Sequence, residues 1–217
     1  MVASSGRRQA PTGARVARWG ALALLVRPAY IATESITAVA TKGGYSFIGD
    51  SVSKLGEIGC LPTYCSPRHG LMNGSFMTFG VLLAGGAALL ARPLGPWVTG
   101  LLVVSGLSSI ATGFAPLDQD ATLHAFAATP LFVAQPLAML LLGARLRSEQ
   151  PRLAGALLST GAVTAVAAVA FILSGGGPVS GGLERLALWP VLFGLAAFAG
   201  TQLRRRTGAF EGPPSRR

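Results

Sequence analysis

Charged residues are scarce in this sequence, and long stretches contain none of them. Asp, Glu, Lys and Arg make up 12% of the 217 residues, whereas about 25% is usual in soluble domains. The uncharged stretches are residues 71–91, 93–117, 121–144 and 153–183. An apolar run of about 18 uncharged residues or more is typical of a helix that spans a bilayer. With a mean hydropathy of +0.54, the composition excludes an ordinary soluble protein.

Residues that bind metals are also scarce, since the chain has two cysteines and two histidines. A structural zinc site takes about four ligands at suitable spacing, and there is no H-x-x-x-H pair. We therefore predict neither a metal nor a cofactor. Cys60 and Cys65 lie close together in a predicted outer loop. Two nearby cysteines in an oxidising compartment commonly form a disulfide, which we predict here.

The net charge of +10 does not indicate nucleic-acid binding, because the basic residues form no stripe with interleaved aromatics. They lie instead between the apolar runs and in the two tails. Those predicted on the side of the termini are Arg7, Arg8, Arg15, Arg18, Arg92, Arg145, Arg147, Arg152, Arg204, Arg205, Arg206, Arg216 and Arg217. The other side has Lys42, Lys54, Arg68 and Arg185. The positive-inside rule therefore places both termini in the cytoplasm, in a multi-pass protein of the cell membrane.

We predict an all-α fold, because helices satisfy their backbone hydrogen bonds within the bilayer. The fold is a bundle of six transmembrane helices in residues 19–203, flanked by basic cytoplasmic tails at residues 1–18 and 204–217. The six predicted spans are residues 19–40, 71–91, 97–115, 123–144, 153–173 and 186–203. The lipid bilayer is accordingly the expected partner, and no nucleic acid is expected.

The first predicted span contains two charges, Arg27 and Glu34, with Tyr30 between them on nearly the same helix face. Charges at membrane depth normally face the interior of the bundle or a water-filled cavity. Two interpretations stay open for Glu34, an internal charge network and the wall of a polar cavity. For Arg27 we favour a structural role in helix packing.

The predicted outer side collects polar residues that could bind a ligand. With Glu34, the candidate binding residues are Tyr45, Asp50, Ser53, Glu57, Asn73, Asp118 and His124. Asp120 and His124 lie one helical turn apart at the start of the fourth span. They are either a helix N-cap with an interfacial histidine, or a carboxylate that orients a histidine for proton transfer. The candidate catalytic residues are His124 and Asp118.

Several of these residues form a pattern that resembles the domain-of-unknown-function 998 family of six-span prokaryotic membrane proteins. The pattern consists of Tyr45-Ser46, Asp50, Ser53, Leu55-Gly56, Asn73, Gly80, Gly113, Pro116, Asp118 and His124. The resemblance implies a six-span fold and a shared outward-facing polar site. It brings no established activity.

Three functions compete at this point. The first is a non-catalytic protein that binds or senses a lipid or small molecule at the outer polar site. The second is an intramembrane lipid hydrolase that uses His124 with Asp118, although no G-x-S-x-G motif marks a nucleophile. The third is a small-solute or proton-coupled transporter, with Glu34 and Arg27 in its first span. Whether the protein is an enzyme stays open.

Overall fold

The computed structural model describes residues 11–207, and these form an all-helical fold, as predicted. The α-helices are α1 (Pro11–Leu25), α2 (Tyr30–Val39), α3 (His69–Leu89), α4 (Ala91–Leu94), α5 (Pro96–Phe114), α6 (Ala121–Leu146), α7 (Pro151–Ser174) and α8 (Ser180–Thr207). Two 3-10 helices are present at Arg27–Ala29 and Ser53–Gly56. No β-strand occurs within residues 11–207.

Six helical segments are long and apolar enough to cross a membrane, which confirms the predicted number of spans. Spans 1 to 6 are Gly13–Val39, His69–Leu89, Pro96–Phe114, Ala121–Leu146, Pro151–Ser174 and Ser180–Arg204. We call the face with segments 40–68, 115–120 and 175–179 the loop face, and the opposite face the terminal face. The orientation of these faces across the membrane stays a prediction.

The helices at the two ends of the bundle begin earlier than the apolar runs do. Helix α1 begins at Pro11, so residues 11–18 are helical rather than part of a tail. Residues 204–207 of the second predicted tail belong to helix α8, which ends at Thr207, and the other predicted tail residues, 1–10 and 208–217, lie outside the described residues. Helix α8 begins at Ser180 instead of residue 186. This earlier start places Glu184 and Arg185 within a membrane-spanning helix.

Span 1 is interrupted in its middle by the 3-10 turn Arg27–Ala29, which separates α1 from α2. Pro28 explains the interruption, because proline has no amide proton for the helical hydrogen bond to residue 24 and its ring crowds the preceding turn. The turn leaves Arg27 at about the middle of the span. The Arg27 side chain is buried, with 4% of the residue exposed.

The spans are arranged in a ring. Each span packs against the next along the chain, and span 6 also packs against span 1. Small residues permit close packing in places, since a Cβ atom on Gly80 would lie 2.6 Å from the Gly106 carbonyl oxygen. Large apolar side chains such as Leu90, Leu142 and Phe198 fill the half of the ring near the terminal face. The half near the loop face contains the polar residues.

The segment 40–68 folds over the loop face. Cys60 and Cys65 are joined by a disulfide, as predicted, and the backbones of Lys42 and Cys65 form a two-way hydrogen-bonded bridge. The Asn73 side-chain amide in span 2 donates to the Gly56 carbonyl at 2.8 Å. The hydrogen bond from Asn73 attaches the 3-10 helix Ser53–Gly56 to span 2.

Candidate functional site

Arg185 is the centre of a buried hydrogen-bond network at the loop face. Its Nε atom donates to Glu34 Oε1 at 2.7 Å, and its Nη2 atom donates to the Tyr45 hydroxyl. Its Nη1 atom donates to the carbonyl oxygens of Phe47, Asp50 and Gly181. All three nitrogens of the guanidinium therefore have partners. These hydrogen bonds join span 6 to span 1 and to the segment 40–68, which we call the loop.

This network includes three of the candidate binding residues. Glu34 also accepts from Trp189 Nε1 at 3.0 Å, so each of its two oxygens has a donor. Tyr45 accepts from Arg185 and donates to the Ser51 carbonyl. The Asp50 carboxylate accepts from Lys54 Nζ at 2.6 Å and from the Ser46 amide at 2.7 Å. Their polar atoms already have protein partners, which is the arrangement of a packing network.

Asp118 and Glu57 lie beside the same loop. Asp118 accepts from the amides of Ile58 at 3.2 Å and Gly59 at 2.7 Å. Partial burial opposes ionisation of Asp118, but these hydrogen bonds outweigh it and lower the pKa of the carboxyl group. For Glu57, partial burial and the neighbouring charge of Asp118 raise the pKa. Asp118 thus holds the 58–59 backbone in place and has no hydrogen bond with His124.

His124 contacts a serine and a backbone carbonyl. Its Nδ1 atom lies 2.6 Å from the Ala115 carbonyl oxygen, and its Nε2 atom lies 2.9 Å from Ser53 Oγ. Because a carbonyl only accepts, Nδ1 must carry the proton, and in the neutral ring Nε2 is then an acceptor for the Ser53 hydroxyl. Asp120 is the N-cap of α6, where it accepts from the Leu123 amide.

Glu184 lies on the other side of Ser53. Its Oε1 atom is 3.4 Å from Ser53 Oγ, and its Oε2 atom accepts from the Val52 amide at 2.6 Å. Ser53, His124 and Glu184 therefore form one cluster, contributed by the loop, span 4 and span 6. Within residues 11–207, no group of three or more His, Cys, Asp or Glu residues is arranged to hold a metal ion.

A central cavity lies below this cluster and has about 50 Å³ of space for the centres of water-sized molecules. Its polar lining residues are Arg27, Tyr30, Ser53, Ser109, Thr112, Gln135 and Glu184. Its apolar lining residues are Phe76, Phe79, Ala128, Leu131, Phe132, Leu188 and Leu192. His124 and Gln135 are eleven residues apart on α6, a rise of about 16 Å at about 1.5 Å per residue. The cavity thus extends from the loop face to mid-membrane depth.

Two residues that line the central cavity have polar atoms without a hydrogen-bond partner among the described residues. Arg27 Nε and Nη1 are buried and make no hydrogen bond with any described residue. The same holds for the Tyr30 hydroxyl, one helical turn away. By contrast, Gln135 Nε2 donates to Ser105 Oγ at 2.9 Å. Buried donors without partners among the described residues, such as those of Arg27 and Tyr30, are expected where an anion or a water molecule binds.

A second cavity, which we call the side cavity, lies between the loop and spans 4 and 5. It has about 380 Å³ of space for the centres of water-sized molecules. Ser53, His124 and Glu184 line one part of it, and Phe171 and Ile172 of α7 line another. Ser53 and Glu184 line both cavities. The Ser53 hydroxyl therefore lies where the two cavities meet.

Sequence reasoning did not identify Glu184 as a site residue and placed Arg185 only at the edge of a span. Both follow a long uncharged run, and a charge after such a run indicates its end. The apolar periodicity of Leu186–Leu203 is compatible with an earlier helix start. It does not indicate which residues are the partners of Glu184 and Arg185. Their partners are supplied by spans and loops distant in the chain.

No curated protein and no solved structure matches this chain. The resemblance noted in the sequence is nevertheless confirmed by a family model. That model, described as "Protein of unknown function (DUF998)", matches residues 26–201, which include all the site residues described above. The chain therefore belongs to the DUF998 family.

Proposed function

We propose that the protein binds a small anionic amphiphile in the central cavity, with the anionic group against Arg27. The observation that carries the proposal is the buried guanidinium with Nε and Nη1 unpartnered among the described residues. A buried, unpaired charge is costly, by several kcal/mol even after relaxation. Charges at membrane depth accordingly tend to mark substrate and ion pathways. An anion at Arg27 would remove this cost.

The composition of the cavity supports an amphiphile. Besides Arg27, the Tyr30 hydroxyl can donate to an oxyanion, because it has no acceptor among the described residues. Most of the remaining lining is apolar, with aromatic side chains from span 2 and span 4.

The charged group is a carboxylate or a phosphate, since a guanidinium donates two parallel hydrogen bonds to either. It could reach the cavity as part of a membrane lipid or as a free solute. The test therefore needs two arms. In the first, native mass spectrometry is applied to protein extracted in mild detergent. In the second, delipidated protein is mixed with octanoate or inorganic phosphate.

Three forms of the protein are compared in both arms: wild type, Arg27→Gln and Arg92→Gln. Arg92 is exposed in the turn after span 2, so its substitution removes the same charge from the surface. We expect a stoichiometric adduct in the wild type and in Arg92→Gln, and its loss in Arg27→Gln. An adduct only in the first arm identifies a lipid, and one only in the second a soluble anion.

A melting curve of each form checks that the folded state is retained. Wild-type protein without an adduct in either arm would contradict the proposal. An adduct that Arg27→Gln retains at wild-type occupancy would contradict it as well, because the anionic group would then lie elsewhere.

A further inference from the structure

We propose that Ser53 is a nucleophile activated by His124, and that the protein transfers the acyl group of a membrane-borne ester to water. The proposal rests on the contact between His124 Nε2 and Ser53 Oγ at 2.9 Å. Nucleophile and base in serine-dependent acyl transfer lie about 2.6–3.2 Å apart, with a third group that orients the base. Here the Ala115 carbonyl is the third group, which orients the His124 ring.

The orientation of the imidazole is fixed by its other nitrogen. Nδ1 donates to the Ala115 carbonyl at 2.6 Å, so the lone pair of Nε2 points at the Ser53 hydroxyl. His124 is buried, with 6% of the residue exposed. Because α6 begins at Ala121 with Asp120 as its N-cap, the histidine is held in the first turn of a long, rigid helix.

The serine is held equally firmly. It opens the 3-10 helix Ser53–Gly56, and the preceding amide, that of Val52, donates to Glu184 at 2.6 Å. The Gly56 carbonyl at the end of this 3-10 helix accepts from Asn73. Glu184 is a positioning residue in this scheme. Ser53 Oγ lies closer to His124 Nε2 than to Glu184 Oε1, at 2.9 against 3.4 Å, which favours the histidine as acceptor of the hydroxyl proton.

Substrate access is provided by the side cavity. Ser53 and His124 line this cavity together with Phe171 and Ile172 of span 5. Ile172 has 59% of its surface exposed on the outside of the bundle, next to Leu173 with 80%. In a membrane these apolar side chains face lipid near the loop face. An ester linkage in the lipid leaflet on that side could therefore reach the serine laterally.

The reaction balances with water as the second reactant. Ser53 Oγ attacks the ester carbonyl carbon and passes its proton to His124 Nε2. The bond from carbon to the alcohol oxygen then breaks, and the leaving oxygen takes the proton from Nε2. Water attacks the acyl-serine ester, gives one proton to Nε2 and releases the carboxylic acid, while Ser53 Oγ regains its proton.

The inference does not depend on the anion at Arg27, since Arg27 lines only the central cavity and His124 only the side cavity. A fluorophosphonate probe tests it, because such probes react covalently with activated serine hydroxyls. Purified protein is labelled in detergent with a short-chain and a long-chain probe, and the modified peptide is identified by mass spectrometry. We expect labelling of Ser53 in the wild type and none in Ser53→Ala.

Two further variants make the result specific. His124→Gln should reduce the labelling rate by at least about 100-fold, the smallest usual contribution of a general base. Ser51→Ala is the matched control, because Ser51 lines the same side cavity but its Oγ accepts only from the Lys54 amide, at 3.3 Å, among the described groups. This variant should be labelled at the wild-type rate.

Folded wild-type protein that neither probe labels at Ser53 would overturn the inference. Labelling at the wild-type rate in His124→Gln would overturn it as well, because the histidine would then not act as base. The outcome is separable from that of the proposed binding function. Arg27→Gln should be labelled normally, and His124→Gln, whose altered residue lines only the side cavity, should keep the adduct found by native mass spectrometry.

Discussion

Arg27 and Arg185 are both buried within membrane spans, with 4% and 5% of their surfaces exposed, but their surroundings are opposite. All three nitrogens of Arg185 donate to a carboxylate, a hydroxyl or backbone carbonyls. Arg27 Nε and Nη1 donate to no described residue, and Arg27 is one of the residues that line the central cavity. The same side chain is thus part of the packing in one place and available to a ligand in the other.

The difference shows that burial of a charge does not by itself indicate a site. Burial removes water from the guanidinium, and the structure must replace those hydrogen bonds or leave a cost in free energy. Around Arg185, the replacement comes from span 1 and the loop. Around Arg27, no described residue supplies a partner for Nε or Nη1. Unpartnered donors, rather than depth in the membrane, therefore distinguish a binding residue from a packing residue.

The largest effect is expected for Arg185→Met. The substitution leaves Glu34 buried without its cation, and breaking a buried ion pair on one side costs about 3–5 kcal/mol. We expect a corresponding loss in the free energy of unfolding, measured by titration with SDS in mixed micelles. Arg92→Met at the surface is the control and should change stability little.

The double variant Glu34→Leu with Arg185→Met sharpens this test, because it removes both charges together. It should recover part of the stability lost in the single variant. If Arg185→Met were no less stable than Arg92→Met, the hydrogen-bond network around Arg185 would make no measurable contribution to the free energy of unfolding. Arg185 and Arg27 would then not differ in their contribution to stability.

An effect of opposite sign is expected for Arg27→Met in delipidated protein. The substitution removes a buried charge whose Nε and Nη1 have no partner among the described residues, so the free energy of unfolding should rise by about 1–2 kcal/mol. The measurement is the same SDS titration, carried out without and with the anion found by native mass spectrometry. Addition of the anion should stabilise the wild type and leave the variant unchanged.

A fall in stability of the delipidated Arg27→Met variant would show that the guanidinium contributes to packing after all. Arg27→Lys is the companion variant, since it keeps the charge but loses the bidentate geometry. It should show no gain in stability and a weaker response to the anion.

Much of the fold could be predicted from the sequence because the relevant signals are local. Uncharged runs long enough to cross a bilayer predict spans 2 to 6, a mainly apolar segment that contains Arg27 and Glu34 predicts span 1, and the short spacing of Cys60 and Cys65 predicts their disulfide. Local spacing also places Arg27 and Glu34 on one helix face. It could not show that Pro28 interrupts that helix, or that Arg185, 151 residues away from Glu34, supplies its partner.

The candidate site is less accessible to sequence reasoning because its contacts join distant segments. Ser53 and His124 are 71 residues apart, and Val52 and Glu184 are 132 apart. The sequence assigned Ser53 and His124 to the same side of the membrane but paired the histidine with Asp118 as an alternative. In the structure, the backbone amides of Ile58 and Gly59 are the closer partners of Asp118.

The smallest effect is expected for the ion pair between Asp50 and Lys54, which is only partly buried. Asp50 and Lys54 lie 2.6 Å apart, with 25% and 30% of their side chains exposed. Partial burial opposes ionisation of Asp50, but hydrogen bonds from Lys54 and the Ser46 amide, with the charge of Lys54, lower its pKa. The ionised Asp50 carboxylate therefore contributes fully to the free energy of unfolding above its unfolded-state pKa of about 3.9. This contribution is lost as the pH falls through the lower pKa of the folded state.

Asp50→Asn should accordingly cost less than about 1 kcal/mol at pH 7, and the difference from the wild type should shrink as the pH falls from 5 towards 3. Unfolding free energies of both forms across this range provide the measurement. A difference that stays constant over the range would mean that the carboxylate charge contributes nothing. A loss as large as that of Arg185→Met would mean that the stability contributed by a charged side chain in this protein depends on its having a partner and not on its burial.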